Sequence, residues 1–340
     1  MVINYNMLKN IYKGKTILVT GGTGTLGSLL VEQILRKDNP KKIIIYSRDE
    51  IKQEQMRIRL SSLKPSKQRY FIGDIRDFDR LNLAAKNNVD IIIHTSAIKI
   101  IDTAEYNPME SIKTNVLGAE NVVRVSLENN ISKVITISTD KAVNPINLYG
   151  ASKLCSEKIF VAANNLVGQK KTKFTVLRYG NILNSRGSFF EKIVKNPEVL
   201  KKVNITHKDM TRFVTTKENI YEFINFVLKN MQGTEIFVLN SKSIKILEFV
   251  KFCLPKSKIN FTGIRPGEKI HETLVAKDEI RNSYKYVNYI VILSNFHENK
   301  IKLNKKKFIK IKNTREISSE FALENTNNNF TKIKNYIYKT

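Results

Sequence analysis

The segment Ile17-Leu18-Val19-Thr20-Gly21-Gly22-Thr23-Gly24-Thr25-Leu26-Gly27 constrains the fold more than any other part of this chain, because an apolar run passes through glycines directly into a helical pattern. Leu26, Leu29, Leu30, Ile34 and Leu35 recur at the spacing of one helix face, as a helix packed on a sheet requires. A strand, a glycine turn and a helix in that order place backbone amides at a helix N-terminus, where they can approach a pyrophosphate. The turn satisfies Gly-x-x-Gly-x-x-Gly from Gly21 and Gly-x-Gly-x-x-Gly from Gly22. Gly21, Thr23, Gly24, Thr25, Leu26 and Gly27 are therefore the expected contacts of a dinucleotide.

Further apolar runs, Ile43-Ile44-Ile45-Tyr46, Tyr70-Phe71-Ile72, Ile91-Ile92-Ile93, Val134-Ile135-Thr136-Ile137 and Phe174-Thr175-Val176-Leu177, recur between helical stretches. Short runs without polar alternation are what buried parallel strands show. The pattern predicts an α/β fold, a doubly wound parallel sheet with a smaller C-terminal substrate lobe. Helices are expected from Pro108 to Asn129 after the fourth strand and from Tyr149 to Ala163 after the fifth. With 340 residues, 41% of them hydrophobic, the chain can bury a core for both parts. The expected division is a nucleotide-binding domain over 1–180 with a return segment near 214–240, and a substrate lobe over 181–213 and 241–340.

A second segment, Ser138 to Lys153, carries the chemistry. Tyr149 and Lys153 are four residues apart and share a helix face, where an ammonium can lower a phenol pKa toward the range of a general base. Alone the pair is a common accident in a lysine-rich chain; its place a domain's length after the glycine turn makes it a hydride-transfer site. Just before it stand Thr139, Asp140 and Lys141, an acid and an amine that simple hydride transfer does not need. Adjacent residues on an extended strand point to opposite sides, so both can face one substrate only if the strand has ended at Asp140, as Asn144-Pro145 allows.

Composition excludes other classes. Cys155 and Cys253 are too few and too distant for a disulfide framework, and the four histidines show no metal-ligand spacing. No metal is expected. The first fourteen residues lack the apolar core of a signal peptide, and no run reaches the roughly 18 apolar residues of a membrane span; a soluble, cytoplasmic protein is expected. The net charge of +27 is spread along the chain, with one dense cluster from Lys300 to Lys312. That distribution fits an anionic metabolite rather than nucleic acid, and the cluster reads as a solvated strand or loop face.

The motifs together resemble the Rossmann-type extended short-chain dehydrogenase/reductases of the nucleotide-sugar type, most closely the inverting UDP-N-acetylglucosamine 4,6-dehydratases of pseudaminic acid biosynthesis. The resemblance runs from about Lys15 to Glu272 through Thr20 to Gly27, Tyr46 to Glu50, Gly73 to Asp77, Lys113-Thr114-Asn115, Ser138 to Lys153, Arg178 to Asn181, Met210 to Phe213 and Arg265 to Lys269. It implies a lyase that oxidises C4 of a UDP-sugar, eliminates water across C5 and C6, and forms homo-oligomers. It implies Tyr149 as base for the C4 hydroxyl, Lys153 as its partner and anchor of the nicotinamide ribose, and Thr139 as a hydrogen bond near the C4 oxygen. Asp140 is then the acid toward the C6 oxygen and Lys141 the group acting at C5. Asn181, Arg265 and Glu268 fall on substrate contacts, Lys99 on a contact of substrate and cofactor, and Asp74 with Ile75 on the adenine end of the cofactor.

Cofactor choice turns on the end of the second strand, where a carboxylate suits NAD and an arginine the extra phosphate of NADP. Ser47 and Arg48 occupy that place, with Lys52 nearby, so NADP is expected. Asp49 and Glu50 read instead as the start of the next helix. Two segments depart from the family pattern: Ile100-Ile101-Asp102 follows Lys99 where the family has His-Val-Pro, and Ser188 passes directly to Phe189-Phe190-Glu191. Two other readings stay open: a nucleotide-sugar 4-epimerase, which has no use for the Asp140-Lys141 pair, and a non-catalytic NADP-binding relative.

Overall fold

The computed structural model describes residues 10–86, 88–185, 188–195, 201–294, 307–312, 315–324 and 326–339. Six parallel strands, β1 (Thr16–Thr20), β2 (Lys42–Ser47), β3 (Gln68–Ile72), β4 (Ile91–His94), β5 (Lys133–Ile137) and β6 (Lys173–Arg178), lie in the order β3-β2-β1-β4-β5-β6. The order reverses between β1 and β4, and the crevice outside their carboxyl ends is where such sheets bind ligands.

The strand sequences explain this arrangement. Ile17 and Val19 of β1 pack into a core with Leu30, Ile34 and Phe223, while Leu18 between them packs on the opposite face with Val122, Phe160 and Phe174. A strand covered by helices on both faces cannot alternate apolar with polar residues. Each such buried aliphatic side chain contributes about 1.5–3 kcal/mol. A third apolar cluster, including Leu183, Phe190, Val203, Phe249 and Phe330, gathers residues from outside the six parallel strands.

The sheet is larger than the sequence suggests. Ile236–Leu239 adds a parallel strand beside β6, and Tyr289–Ile292, Ser283–Tyr286 and Ile309–Lys310 continue it antiparallel, giving ten strands among the described residues. The segment from Ser283 to Lys310 was expected in the substrate lobe; its described strands belong to the sheet instead, because Tyr289–Ile292 is buried along its whole length against Ile236–Leu239. The helix expected from Pro108 to Asn129 is interrupted: Pro108–Ile112 and Gly118–Glu128 flank a π-helical turn at Lys113–Leu117. In the basic cluster, Lys302, Lys305 and Lys306 lie outside the described residues, and Lys307 and Lys310 are exposed.

Candidate active site

A cavity of about 1010 Å³ opens at the carboxyl ends of the parallel strands. One end is the glycine turn. Gly21 has φ +65°, and a Cβ there would come within 2.9 Å of the Ser96 nitrogen and the Thr95 hydroxyl. A Cβ on Gly27 would strike the Gly21 carbonyl and Gly22 Cα, so this glycine seats the helix α1 (Thr25–Lys37) on the turn. Gly24 begins α1 with no side-chain cap and no acid in the first turn. Uncapped amides without a competing carboxylate fit an anionic phosphate. Gly21, Thr23, Gly24, Thr25 and Leu26 line the cavity; Gly27 lies behind it.

Next along the wall are Ser47, Arg48, Lys52, Asp74 and Ile75. Asp49 caps the helix α2 (Glu50–Arg59) by accepting from the Lys52 backbone amide, and its carboxylate pairs with Lys52 Nζ at 2.7 Å. It is therefore occupied as a helix cap, as its position just past β2 suggested. Asp74 Oδ2 accepts from Arg76 Nη2 at 2.7 Å and from Arg48 Nη1 at 3.4 Å. Burial opposes, but these arginines hold its carboxyl below the ordinary range. Arg48 is more than half exposed and can turn toward a ligand.

At the centre, β5 ends at Ile137 and a 3-10 turn follows at Asp140–Ala142, capped by Thr139 Oγ1, which accepts from the Lys141 amide. The turn resolves the alternation problem, since Asp140 and Lys141 are no longer on a strand. Asn147 then caps the Leu148–Ala163 helix through the Gly150 amide and donates to the Gly267 carbonyl at 2.7 Å. The loop of Arg265 and Glu268 is thus tied to the start of the helix that carries Tyr149 and Lys153.

Lys141 is the hub. Its Nζ lies 3.1 Å from Asp140 Oδ1 and 3.1 Å from Glu272 Oε1, with side-chain exposures of 16%, 1% and 3% for the three residues in that order. Asp140 Oδ2 and Glu272 Oε2 are buried without a hydrogen-bond partner among the described residues. Burial pushes the Lys141 pKa down, but the two carboxylates outweigh it and raise it. Burial raises Asp140, and the Glu272 charge adds to this against the pull of Lys141. Burial works the same way on Glu272, yet Lys141 and Arg212 together hold it below its usual value. Of the two carboxyls, Asp140 more readily keeps a proton. Thr139 and Lys141 line the cavity, whereas the Asp140 carboxyl is buried on the 3-10 turn behind them.

Burial raises the Tyr149 phenol, while the Lys141 charge and a hydrogen bond with Thr139 pull it back. The cation that bears on Tyr149 most is thus Lys141, brought over by the turn, rather than Lys153 one helical turn away. Lys153 is 3% exposed, and burial pushes its pKa down to about 8 against the pull of Glu157. His94 beside it is driven down to about 3 by burial and the Lys153 charge, and its Nδ1 lies 2.7 Å from Thr20 Oγ1.

At the far end the cavity is lined by Asn181, Arg212, Arg265 and Glu268, with Lys99 between the two halves. Asn181 Nδ2 donates to the Phe213 carbonyl, and Lys99 Nζ to Ser185 Oγ at 3.4 Å. Arg212 lies 3.5 Å from Glu268. The departing segments both reach the wall, through Ile100 and Ile101 and through Phe189 and Phe190.

Sequence reasoning missed three contributors. Glu272 is fixed by reciprocal bonds with Ser319, whose amide donates to the Glu272 carbonyl at 2.7 Å and whose hydroxyl accepts from the Glu272 amide at 2.8 Å. Its only signal was its place just after the Arg265 to Lys269 motif. Arg212 sat in a quoted motif without a role. Asn115, in the π-turn, clamps both backbone groups of Ile98 at 2.8 and 2.9 Å and reaches Ser152 at 2.9 Å, holding the loop of Lys99 against the catalytic helix; π-turns concentrate at such sites.

Residues 17–294 match the polysaccharide biosynthesis protein family. An inverting UDP-N-acetylglucosamine 4,6-dehydratase of Campylobacter jejuni is 46% identical over 285 residues, 83% of this chain and 84% of that protein. A UDP-glucose 4-epimerase of Rickettsia bellii is 39% identical over 82% of this chain and 83% of its own length. The X-ray structure of Pen from Bacillus thuringiensis superposes with a TM-score of 0.87 at 28% identity, covering 96% of this chain and 98% of that one.

Proposed function

We propose, for a chain that belongs to the polysaccharide biosynthesis protein family, that it removes water across C5 and C6 of UDP-N-acetylglucosamine, with inversion at C5. The observation that carries this reading is Lys141, held at the cavity wall beside Tyr149 by the buried Asp140 and Glu272. Oxidation and reduction at C4 alone need a base for one hydroxyl; elimination needs a second acid/base station, and this cluster supplies it. The higher identity to the dehydratase than to the epimerase supports the same choice.

The uncapped start of α1 and the close approach permitted at Gly21 fit a nicotinamide dinucleotide. A nicotinamide held there would supply the hydride acceptor and donor that chemistry at C4 and C6 requires. Arg48 at the ribose position, with Asp49 engaged as a helix cap, favours NADP over NAD. Ser47 and Lys52 complete that end, Asp74 and Ile75 meet the adenine, and Lys153 holds the nicotinamide ribose.

Tyr149 takes the proton of the C4 hydroxyl, which Thr139 orients. The C4 ketone acidifies the C5 hydrogen. Lys141, the member of the cluster that lines the cavity, gives its proton to the departing C6 oxygen as it takes the C5 proton, so it leaves the elimination as the ammonium that its two carboxylates favour. Asp140 behind it replaces the proton that Lys141 later restores to C5. Arg265, with Arg212 and Glu268 beside it, receives the UDP end; the guanidinium fork suits a diphosphate. Asn181 and Lys99 hold the sugar side.

The test is incubation of the purified protein with NADP and UDP-N-acetylglucosamine, followed by mass spectrometry and proton NMR. A product lighter by one water, with C5 inverted, is expected. An unchanged mass with a new stereoisomer would make the protein an epimerase, and an unchanged substrate a binding protein; either overturns the proposal.

A further inference from the structure

The loop that carries Arg265 runs on the surface: every residue from 261 to 266 is exposed, so no buried side chain holds it. It enters at Thr262, whose amide donates to the Ile205 carbonyl at 3.0 Å, and leaves at Lys269, whose Nζ donates to the Val143 carbonyl at 2.6 Å. Between these points Arg265 and Glu268 bond to each other, the Glu268 amide to the Arg265 carbonyl at 3.1 Å and the Arg265 amide to Glu268 Oε2 at 3.4 Å. Those bonds shape the turn without fastening it to the rest of the molecule. Among the described residues, the one hydrogen bond from 263–267 to another element is the 2.7 Å bond that the Gly267 carbonyl accepts from Asn147 Nδ2. The two residues also touch, since a Cβ on Gly267 would come within 2.9 Å of Asn147 Cβ.

Asn147 serves two elements with one side chain. Its Oδ1 accepts from the Gly150 amide at 2.8 Å and so caps the helix of Tyr149 and Lys153, while its Nδ2 holds the loop. It is 9% exposed and does not line the cavity. Only an amide presents an acceptor and a donor in this way. Aspartate or serine caps a helix as well as asparagine does, so the cap alone does not call for asparagine, whereas the bond to the loop does. The helix start is fixed from its other side too, where the Leu148 amide donates to Glu105 Oε1 at 2.7 Å. The loop is therefore tied to an anchored point.

We infer that Asn147 is a positioning residue for recognition of the UDP end: it holds the turn of Arg265 and Glu268 in the conformation that receives the diphosphate and takes no part in the chemistry at the sugar. The inference rests on the reading that places the UDP end at Arg265. A surface loop without this bond samples other conformations, and a ligand must then order it on binding. That cost falls equally on the bound substrate and on the transition state, so KM rises while kcat holds.

The test uses Asn147→Asp and Asn147→Ser, which keep the cap and lose the donor to Gly267, and Asn147→Ala, which loses both. Calorimetry reads affinity for UDP and for NADP, turnover of UDP-N-acetylglucosamine reads KM and kcat, and urea unfolding reads stability. In the first two variants UDP affinity should fall about tenfold and KM should rise as much, with kcat, NADP affinity and stability close to the parent. Asn147→Ser introduces no charge, so a loss common to both is not repulsion between a new carboxylate and the diphosphate. Asn147→Ala should match them in UDP affinity and lose stability besides. Parent-like UDP affinity in both Asn147→Asp and Asn147→Ser, or a fall in NADP affinity as large as that in UDP affinity, would overturn the inference. UDP binding is read without turnover, so failure of the dehydratase reading, seen as no loss of water from the sugar in the unmutated protein, stays separate. An Arg265→Ala variant that binds UDP as the parent does would overturn the placement of the diphosphate and the inference with it.

Discussion

Replacing Glu272 with Gln removes one of the two carboxylates that hold Lys141 while nearly preserving shape. Removing one partner of a buried ion pair typically costs about 3–5 kcal/mol, because the other charge is left uncompensated. Here Lys141 keeps Asp140 at 3.1 Å, and Asp140 is freed from the Glu272 charge that now raises its pKa. The cost should therefore fall below that range, at about 2 kcal/mol. Urea unfolding of parent and variant at neutral pH measures it directly. The pH dependence has a definite sign. Glu272 is held below its ordinary pKa, so its stabilising contribution is present above the unfolded value of about 4.3 and is lost as pH falls through the folded value. The gap between parent and Glu272→Gln should accordingly be full at pH 7 and close in acid. Turnover should fall more than substrate affinity, since Glu272 positions Lys141 without lining the cavity. A variant as stable as the parent at pH 7, with unchanged turnover, would refute this view of the cluster.

Arg48→Ala should erase a preference for NADP over NAD of roughly ten- to a hundredfold, the worth of charge-assisted contacts of about 1.5–3 kcal/mol; equal affinity of the parent for both cofactors in calorimetry would contradict it. Tyr149→Phe should lower both C4 oxidation and water loss by about 10² to 10⁴, read as cofactor absorbance and product mass; retention of either at the parent rate would exclude Tyr149 as the base.

The parallel half of the sheet was legible because β1, β2, β4, β5 and β6 are covered on both faces, which forces apolar runs such as Ile43-Ile44-Ile45. The outer strands were not. The hairpin between Ser283–Tyr286 and Tyr289–Ile292 turns through Val287, at φ +53°, and Asn288; an asparagine after a valine, with no glycine beside it, is a much weaker turn signal than Asn-Gly or Asp-Gly. In the site, Tyr149 and Lys153 were legible from helix periodicity, and Asp140 with Lys141 from their adjacency. The inward orientation of Asp140 depends on a 3-10 turn of three residues, below what periodicity can resolve. Glu272 escaped because its partnership with Lys141 is made by tertiary contact: the pairing of Thr273–Val275 with Ile317–Ser318 and the two Ser319 bonds bring it in from a distant stretch of chain.

The central claim is that oxidation at C4 and elimination across C5 and C6 use different residues, and Lys141→Ala separates them. With UDP-N-acetylglucosamine and NADP in a quenched reaction, this variant should still form reduced cofactor and the 4-keto sugar that retains its water, more slowly than the parent because Lys141 no longer lowers the Tyr149 phenol pKa, while dehydrated product falls by about 10² or more. Dehydrated product appearing at the parent rate would make the Asp140–Lys141–Glu272 cluster structural and contradict the account.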